Sequence, residues 1–184
     1  MQVVIIGNLF NMANVDKLVP LILKWEGGYI NDPDDLGQET NKGVTFKTYK
    51  NYCRMVGKPQ PSIGDLCRLT DEEFTDILKT LYWNVCKADF IESQSVANII
   101  VDWAWNSGNA TAIKHVQRIV GVKDDGIVGT ITLAAINSRS PLPLFGKIRK
   151  ARIDYYHSIV NSRPANAKFL RGWLNRVNDF QFED

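Results

Sequence analysis

The chain has 184 residues, 45% hydrophobic and 23% charged, the composition of a folded globular chain and not of a disordered or collagen-like one. Length alone points to one compact unit. Lys and Arg number 22 against 20 Asp and Glu, so the net charge of +2 is too small to imply a nucleic-acid binder, and no run of about 18 apolar residues is present to span a membrane.

The first twelve residues (MQVVIIGNLFNM) are apolar but lack the basic n-region and small-residue cleavage site of a secretion signal. They read as a lead-in segment, either an upstream start ahead of Met12 or a short docked strand. From Asn14 to Glu26, Val15, Leu18, Val19, Ile22 and Trp25 fall on one face of an amphipathic helix, which Gly27 and Gly28 stop. Residues 28–45 are rich in Gly, Asp, Asn and Pro, which favours turns or a short hairpin. Thr45 is placed to cap a helix carrying Phe46, Tyr49, Cys53 and Val56, ended by Gly57 and the prolines at 59 and 61. Thr70 with Glu73 reads as a capping box opening a helix with Phe74, Ile77, Leu78 and Leu81 on its apolar face.

The stretch Ser95 to Trp105 is apolar almost all round and too long for an ordinary strand, so it is predicted to be the central buried helix, closed at Gly108. Asn109 then caps a helix with Ala112, Ile113, Val116 and Val120 that ends at Gly121, and Asp125-Gly126 marks a tight turn. Helices follow at Thr130–Asn137, Leu144–Val160 and Ala167–Phe180. No alternating strand pattern exists outside 28–45, and the expected fold is mostly α. The three cysteines, Cys53, Cys67 and Cys86, are an odd number without CxxC spacing and read as reduced core residues. Charge is uneven: residues 139–178 hold nine basic side chains against Asp154 alone, a flank able to face an anionic polymer or simply to be solvated.

Glu26 is the residue best placed for chemistry. It sits in the last turn of a helix beside Trp25, where the negative end of the helix dipole and apolar surface both disfavour an ionised carboxylate. A carboxylic acid of that kind is what a general acid needs to protonate a glycosidic oxygen as the bond breaks. The acidic loop that follows offers Asp32, Asp34 and Asp35 as second carboxylates.

These residues carry a resemblance. Glu26-Gly27-Gly28-Tyr29, then Asn31-Asp32-Pro33, Asp35, Gly37, Thr40-Asn41 and Gly43-Val44-Thr45, resemble the N-terminal signature of the glycoside hydrolase family 108 N-acetylmuramidases, which are similar to phage-type lysozymes. Tyr82-Trp83, Asp102 and Asn106-Ser107-Gly108 continue it. Gln117, Asp125-Gly126, Gly129, Thr130, Thr132-Leu133, Gly172-Trp173-Leu174 and Arg176-Val177 resemble the peptidoglycan-binding region attached to such enzymes.

The resemblance implies a lysozyme-like helical fold with a small loop or hairpin region after the first helix. It implies a catalytic part at 13–90 and a C-terminal peptidoglycan-binding part at 91–184 packed into the same compact unit. It makes Glu26 the catalytic glutamate and gives the loop roles to Asp35 and Thr40, with Asp32 the rival to Asp35. Gln38 stands where the family has a further glycine, which leaves the role of Asp35 open. The implied reaction is hydrolysis of the β-1,4 bond between N-acetylmuramic acid and N-acetylglucosamine, by inversion or retention. No cofactor is implied. Such a protein is made in the cytoplasm and reaches the wall by a holin, an exporter or lysis, in the manner of an endolysin, prophage hydrolase or secretion activator. It acts on peptidoglycan strands as a monomer, without nucleic acid or membrane insertion.

Sugar rings pack their C–H faces on aromatic platforms beside hydrogen-bonding side chains. Tyr29, Trp83 and Trp105 are candidate platforms, with Trp103 more suited to the core, and Asn106 is the polar neighbour. A cysteine peptidase would need a thiolate activated by His115 or His157, and the cysteines lack an activating signature. Two isolated histidines without an HxxxH pair do not supply a zinc site. A non-catalytic wall-binding or secretion-accessory module is the competing reading.

Overall fold

The computed structural model of the chain describes residues 12–26 and 39–184. The lead-in segment up to residue 11 and most of the predicted turn region therefore lie outside the described residues. The chain divides into two compact units, one of Val15–Asn84 and one joining the residues up to Asn14 to Val85–Asp184. Both are helical. No helix among the described residues is long and apolar enough to cross a membrane.

The N-terminal unit opens with a single 3-10 turn, Val15–Lys17, followed by α1, Val19–Leu23. The single helix expected from Asn14 to Glu26 is thus broken. Pro20 is the cause: it has no N–H to donate one turn back to Asp16, so it fits the first turn of a helix and not its middle. The apolar stripe still does its work, because Val15, Leu18 and Ile22 are all buried. After α1 the chain keeps winding, with Trp25 N–H and Glu26 N–H both donating to the Ile22 carbonyl at 2.9 and 3.2 Å.

A two-stranded antiparallel hairpin, β1 Thr40–Asn41 and β2 Val44–Thr45, leads into α2, Phe46–Met55. Thr45 ends the hairpin and caps α2, accepting the Thr48 N–H at 3.1 Å, and α2 buries Tyr49, Tyr52 and Cys53. A short helix α3, Ile63–Cys67, had no sequence counterpart, yet it carries the reciprocal capping box of the unit: Ser62 Oγ accepts the Asp65 N–H while Asp65 Oδ2 accepts the Ser62 N–H at 2.8 Å. At α4, Asp71–Leu78, only half of the expected box forms. Thr70 Oγ1 accepts the Glu73 N–H, but the Glu73 carboxylate turns to Lys58 Nζ at 2.8 Å. The chain then runs through a π-helical turn, Lys79–Trp83.

The C-terminal unit is built on α5, Gln94–Ser107, whose residues Ser95 to Ala104 are buried without interruption, as its all-round apolar sequence requires. It packs against α6, Asn109–Val120, and α8, Pro141–Ser162, and α8 packs against α9, Ala167–Asp179. Gly108 (φ +85°) is the N-cap of α6 and Asn109 its first residue, which corrects the expected Asn109 cap: the sharp turn between two consecutive helices needs a glycine. α6 ends at Gly121 (φ +78°), and α7, Thr130–Asn137, follows a loop organised by the buried Gln117. The Gln117 amide donates to Asp125 Oδ1, the Ile127 carbonyl and Thr132 Oγ1 and accepts the Gly126 N–H.

α5, α8 and α9 share a buried ion cluster. Asp102, fully buried, lies 2.6 Å from Arg176 Nη2 and 2.7 Å from Arg152 Nη2, while Arg152 Nε donates to Tyr156 Oη at 3.0 Å. Two of the nine basic residues of 139–178 are therefore held inside the fold, and Lys150 is paired with Asp154, which reduces the expected basic flank to the exposed Arg139, Lys147, Arg163, Lys168 and Arg171 among those left. Burial raises the Asp102 pKa, but the attraction of Arg152 and Arg176 outweighs it and holds this carboxyl below the usual carboxylate range. Cys53 and Cys86 are buried as expected, whereas Cys67 is exposed because it closes α3 at the surface.

Asp102→Asn leaves two buried guanidinium groups facing a neutral amide and is expected to cost about 3–5 kcal/mol in urea unfolding at neutral pH. The carboxylate is depressed in the fold, so its stabilisation is present above the unfolded value of about 3.9 and is lost as pH falls through the folded value. Unfolding curves measured across this acid range should thus converge for wild type and Asp102→Asn as the pH drops.

Candidate active site

The site is best built from the hairpin. A two-residue connection between Asn41 and Val44 needs positive φ at both central residues, and Lys42 (φ +49°) and Gly43 (φ +72°) supply it. Three ties fix this hairpin within its unit. Asn41, buried, donates its side-chain amide to the Leu66 carbonyl at 2.8 Å and the Cys67 carbonyl at 3.1 Å, at the end of α3. Lys42 Nζ pairs with Asp71 at the start of α4. The Phe46 N–H donates to the Glu39 carbonyl at 3.0 Å, and Val44 is fully buried.

Glu26 comes to rest on this platform. Its carboxyl occupies the space that a side chain at position 43 would need: a Cβ placed on Gly43 would overlap Glu26 Oε2 and lie 2.6 Å from Cδ and 3.2 Å from Cγ. Glu26 is half-buried and is tethered to the end of α1 by its own N–H bond to Ile22. Thr40, also half-buried, opens the hairpin whose turn holds Gly43 and pairs across it with Thr45. The structure thus brings Glu26 to the Thr40–Thr45 hairpin. Asp32, Asp35 and Tyr29 lie outside the described residues.

The aromatic candidates separate. Trp83 is fully buried in the π-helical turn after α4 and is corrected from a sugar platform to a packing residue, since a ring with no exposed face has none to offer a glycan. In the C-terminal unit, near the end of α5, Trp105 is half-buried and Asn106 exposed, with Asn106 Nδ2 donating to the Asp102 carbonyl at 3.0 Å. Trp103 is fully buried, against His115 and Tyr155. A cavity of about 550 Å³ in that unit, bounded by Ile91, Val96, Ile136, Arg139 and Leu144 among others, contains none of the candidate residues.

The cysteine-peptidase reading loses ground. Burial pushes the Cys86 thiol up to about 12 and the Cys53 thiol above its ordinary value, so both hold their protons and are poor nucleophiles. Among the described residues no three His, Cys, Asp or Glu side chains come together as metal ligands do. Sequence reasoning quoted Asn41 and Gly43 only as parts of a signature and missed what they do. The Lys-Gly pair between short β segments was a local signal for a tight hairpin turn, but no local signal tells that a glutamate from another element fills the glycine's empty side.

A helical chain with a carboxyl group posted on a small hairpin fits a glycoside hydrolase, and the comparisons with known proteins agree. Residues 19–108 match the family model described as glycosyl hydrolase 108, and residues 111–178 match one described as a predicted peptidoglycan domain. The solved structure of SagA from Brucella abortus is similar, at 31% sequence identity and a TM-score of 0.74 over 89% of this chain and 89% of that one. No curated protein matches the chain significantly. The chain belongs to the glycosyl hydrolase 108 family and carries a peptidoglycan domain after its hydrolase region.

Asn41→Ala removes the donor for the Leu66 and Cys67 carbonyls and is expected to lower stability by about 1–3 kcal/mol in thermal or urea unfolding, with Asn41→Asp no better because it has no N–H to give.

Proposed function

We propose that the protein hydrolyses the β-1,4 glycosidic bond between N-acetylmuramic acid and N-acetylglucosamine in bacterial peptidoglycan, with Glu26 as the general acid. The observation that carries this is the seat of the Glu26 carboxyl on the anchored hairpin turn, in a chain whose family is one of glycoside hydrolases and whose second region is a peptidoglycan domain. Glu26 donates its proton to the bridging oxygen as the bond from that oxygen to the muramic C1 breaks; water supplies the hydroxyl that ends on C1 and the proton that restores Glu26.

A second carboxylate completes the chemistry. Asp35, with Asp32 as its rival, fills that role, and Thr40 orients the water. The stereochemistry follows from spacing: carboxyls roughly 6.5–9.5 Å apart leave room for water and invert, whereas roughly 5–5.5 Å retains. Tyr29 contacts the sugars beside this acid, and Trp105 and Asn106 offer a sugar contact of the C-terminal unit. The protein works as a monomer on glycan strands of the cell wall, without a cofactor. The endolysin, prophage and secretion-activator settings all call on this same hydrolysis. A wall binder without catalysis is the reading the test must separate.

Glu26→Gln keeps the shape of the side chain and removes the proton. It is expected to lower the rate of clearing of purified sacculi by at least about 10²–10⁴-fold while sedimentation with those sacculi is retained. Wild-type digests should release fragments whose reducing end is N-acetylmuramic acid by mass analysis. Sacculi that bind the wild-type protein but stay intact would favour the non-catalytic reading.

A further inference from the structure

We propose that Gly43 is a positioning residue for Glu26: the missing side chain at position 43 is the seat that holds the acid in its working place. The proposal rests on the assignment of Glu26 as general acid and extends it to a second element. A Cβ at position 43 would overlap Glu26 Oε2 and crowd Cδ and Cγ, so the carboxyl and a side chain there exclude one another.

What decides the consequence is which partner yields. The hairpin is held by Asn41 on two carbonyls of α3, by Lys42 on Asp71 and by a two-residue turn that leaves no slack. The Glu26 carboxyl ends a side chain with rotatable torsions. The carboxyl moves and the backbone stays, so the contact costs the fold little and costs the acid its position. Reaction rates are steep in such displacements, a misplacement of about 1 Å being worth up to about 100-fold.

The same unit contains its own control. Gly57, after α2, has the same φ of +72°, but a Cβ there meets no atom within 4 Å. Ala at either site suffers the strain of left-handed backbone, and only Ala at 43 meets Glu26.

The experiment compares the full chain as wild type, Gly43→Ala, Gly57→Ala and Glu26→Gln, by thermal unfolding, by sedimentation with purified sacculi and by initial clearing rates over a range of sacculus concentrations. The expected result is a similar drop in Tm for the two alanine variants, unchanged sacculus binding and half-saturation, and a maximal rate reduced about 100-fold in Gly43→Ala alone. Equal rates for Gly43→Ala and Gly57→Ala would overturn the proposal, as would a change in half-saturation with turnover intact. Failure of Gly43→Ala to fold where Gly57→Ala folds would overturn it too, by making the contact a matter of stability. Equal clearing by wild type and Glu26→Gln would instead remove the assignment of Glu26 itself, and the positioning role with it.

Discussion

One volume of space, on the side of Gly43 where any other residue would carry its Cβ, is filled by the carboxyl of Glu26. Two independent demands meet at that glycine. The tight turn asks for positive φ, which glycine adopts without strain, and the neighbouring acid asks for the absence of a side chain. The N-terminal unit is arranged to hold the two sides of this contact. Pro20 starts α1, the chain winds on past the end of that helix to Glu26, and Asn41 and the Lys42–Asp71 pair fasten the turn to α3 and α4. A side chain set on a fixed surface has little further freedom to lose when a ligand arrives.

The C-terminal unit is organised on a different principle. Its spine, α5, is mostly apolar and buried, and its buried Asp102 draws a guanidinium from α8 and another from α9 into the interior. Burying one anion with two cations is a costly way to gain stability, but it fixes the register of three helices at one point. The loop bearing Asp125 and Gly126 is likewise set from inside, by the amide of Gln117. Gln117 and Arg176, both within the match to the peptidoglycan domain, are thus pins of this unit's architecture, and the partner of Arg176, Asp102, comes from the hydrolase match.

Much of this fold was legible in the sequence, because helices announce themselves by local signals. Thr45, Thr70, Gly57 and Gly121 act as caps and stops, and the apolar run before Gly108 is the buried spine. What was lost depends on tertiary partners. Glu73 had the right spacing for a reciprocal cap but a better partner in Lys58, and Arg152 and Arg176 read as surface charges until Asp102 was found between them. Trp83 read as a platform because aromatic type says nothing of exposure. Glu26 stands out as a candidate from its neighbours in the chain; its seat does not, since α1 and the hairpin meet only in three dimensions.

The role of Glu26 is decided by where a glycan lies relative to its carboxyl. A crystal structure of the Glu26→Gln chain with a bound oligosaccharide of alternating N-acetylglucosamine and N-acetylmuramic acid tests it most directly. The expected result is the substituted side-chain amide at position 26 lying over Gly43 and within about 3 Å of a glycosidic oxygen, the reach that proton transfer requires. A strand bound elsewhere, or crossing this unit with every glycosidic oxygen beyond the reach of residue 26, would contradict it.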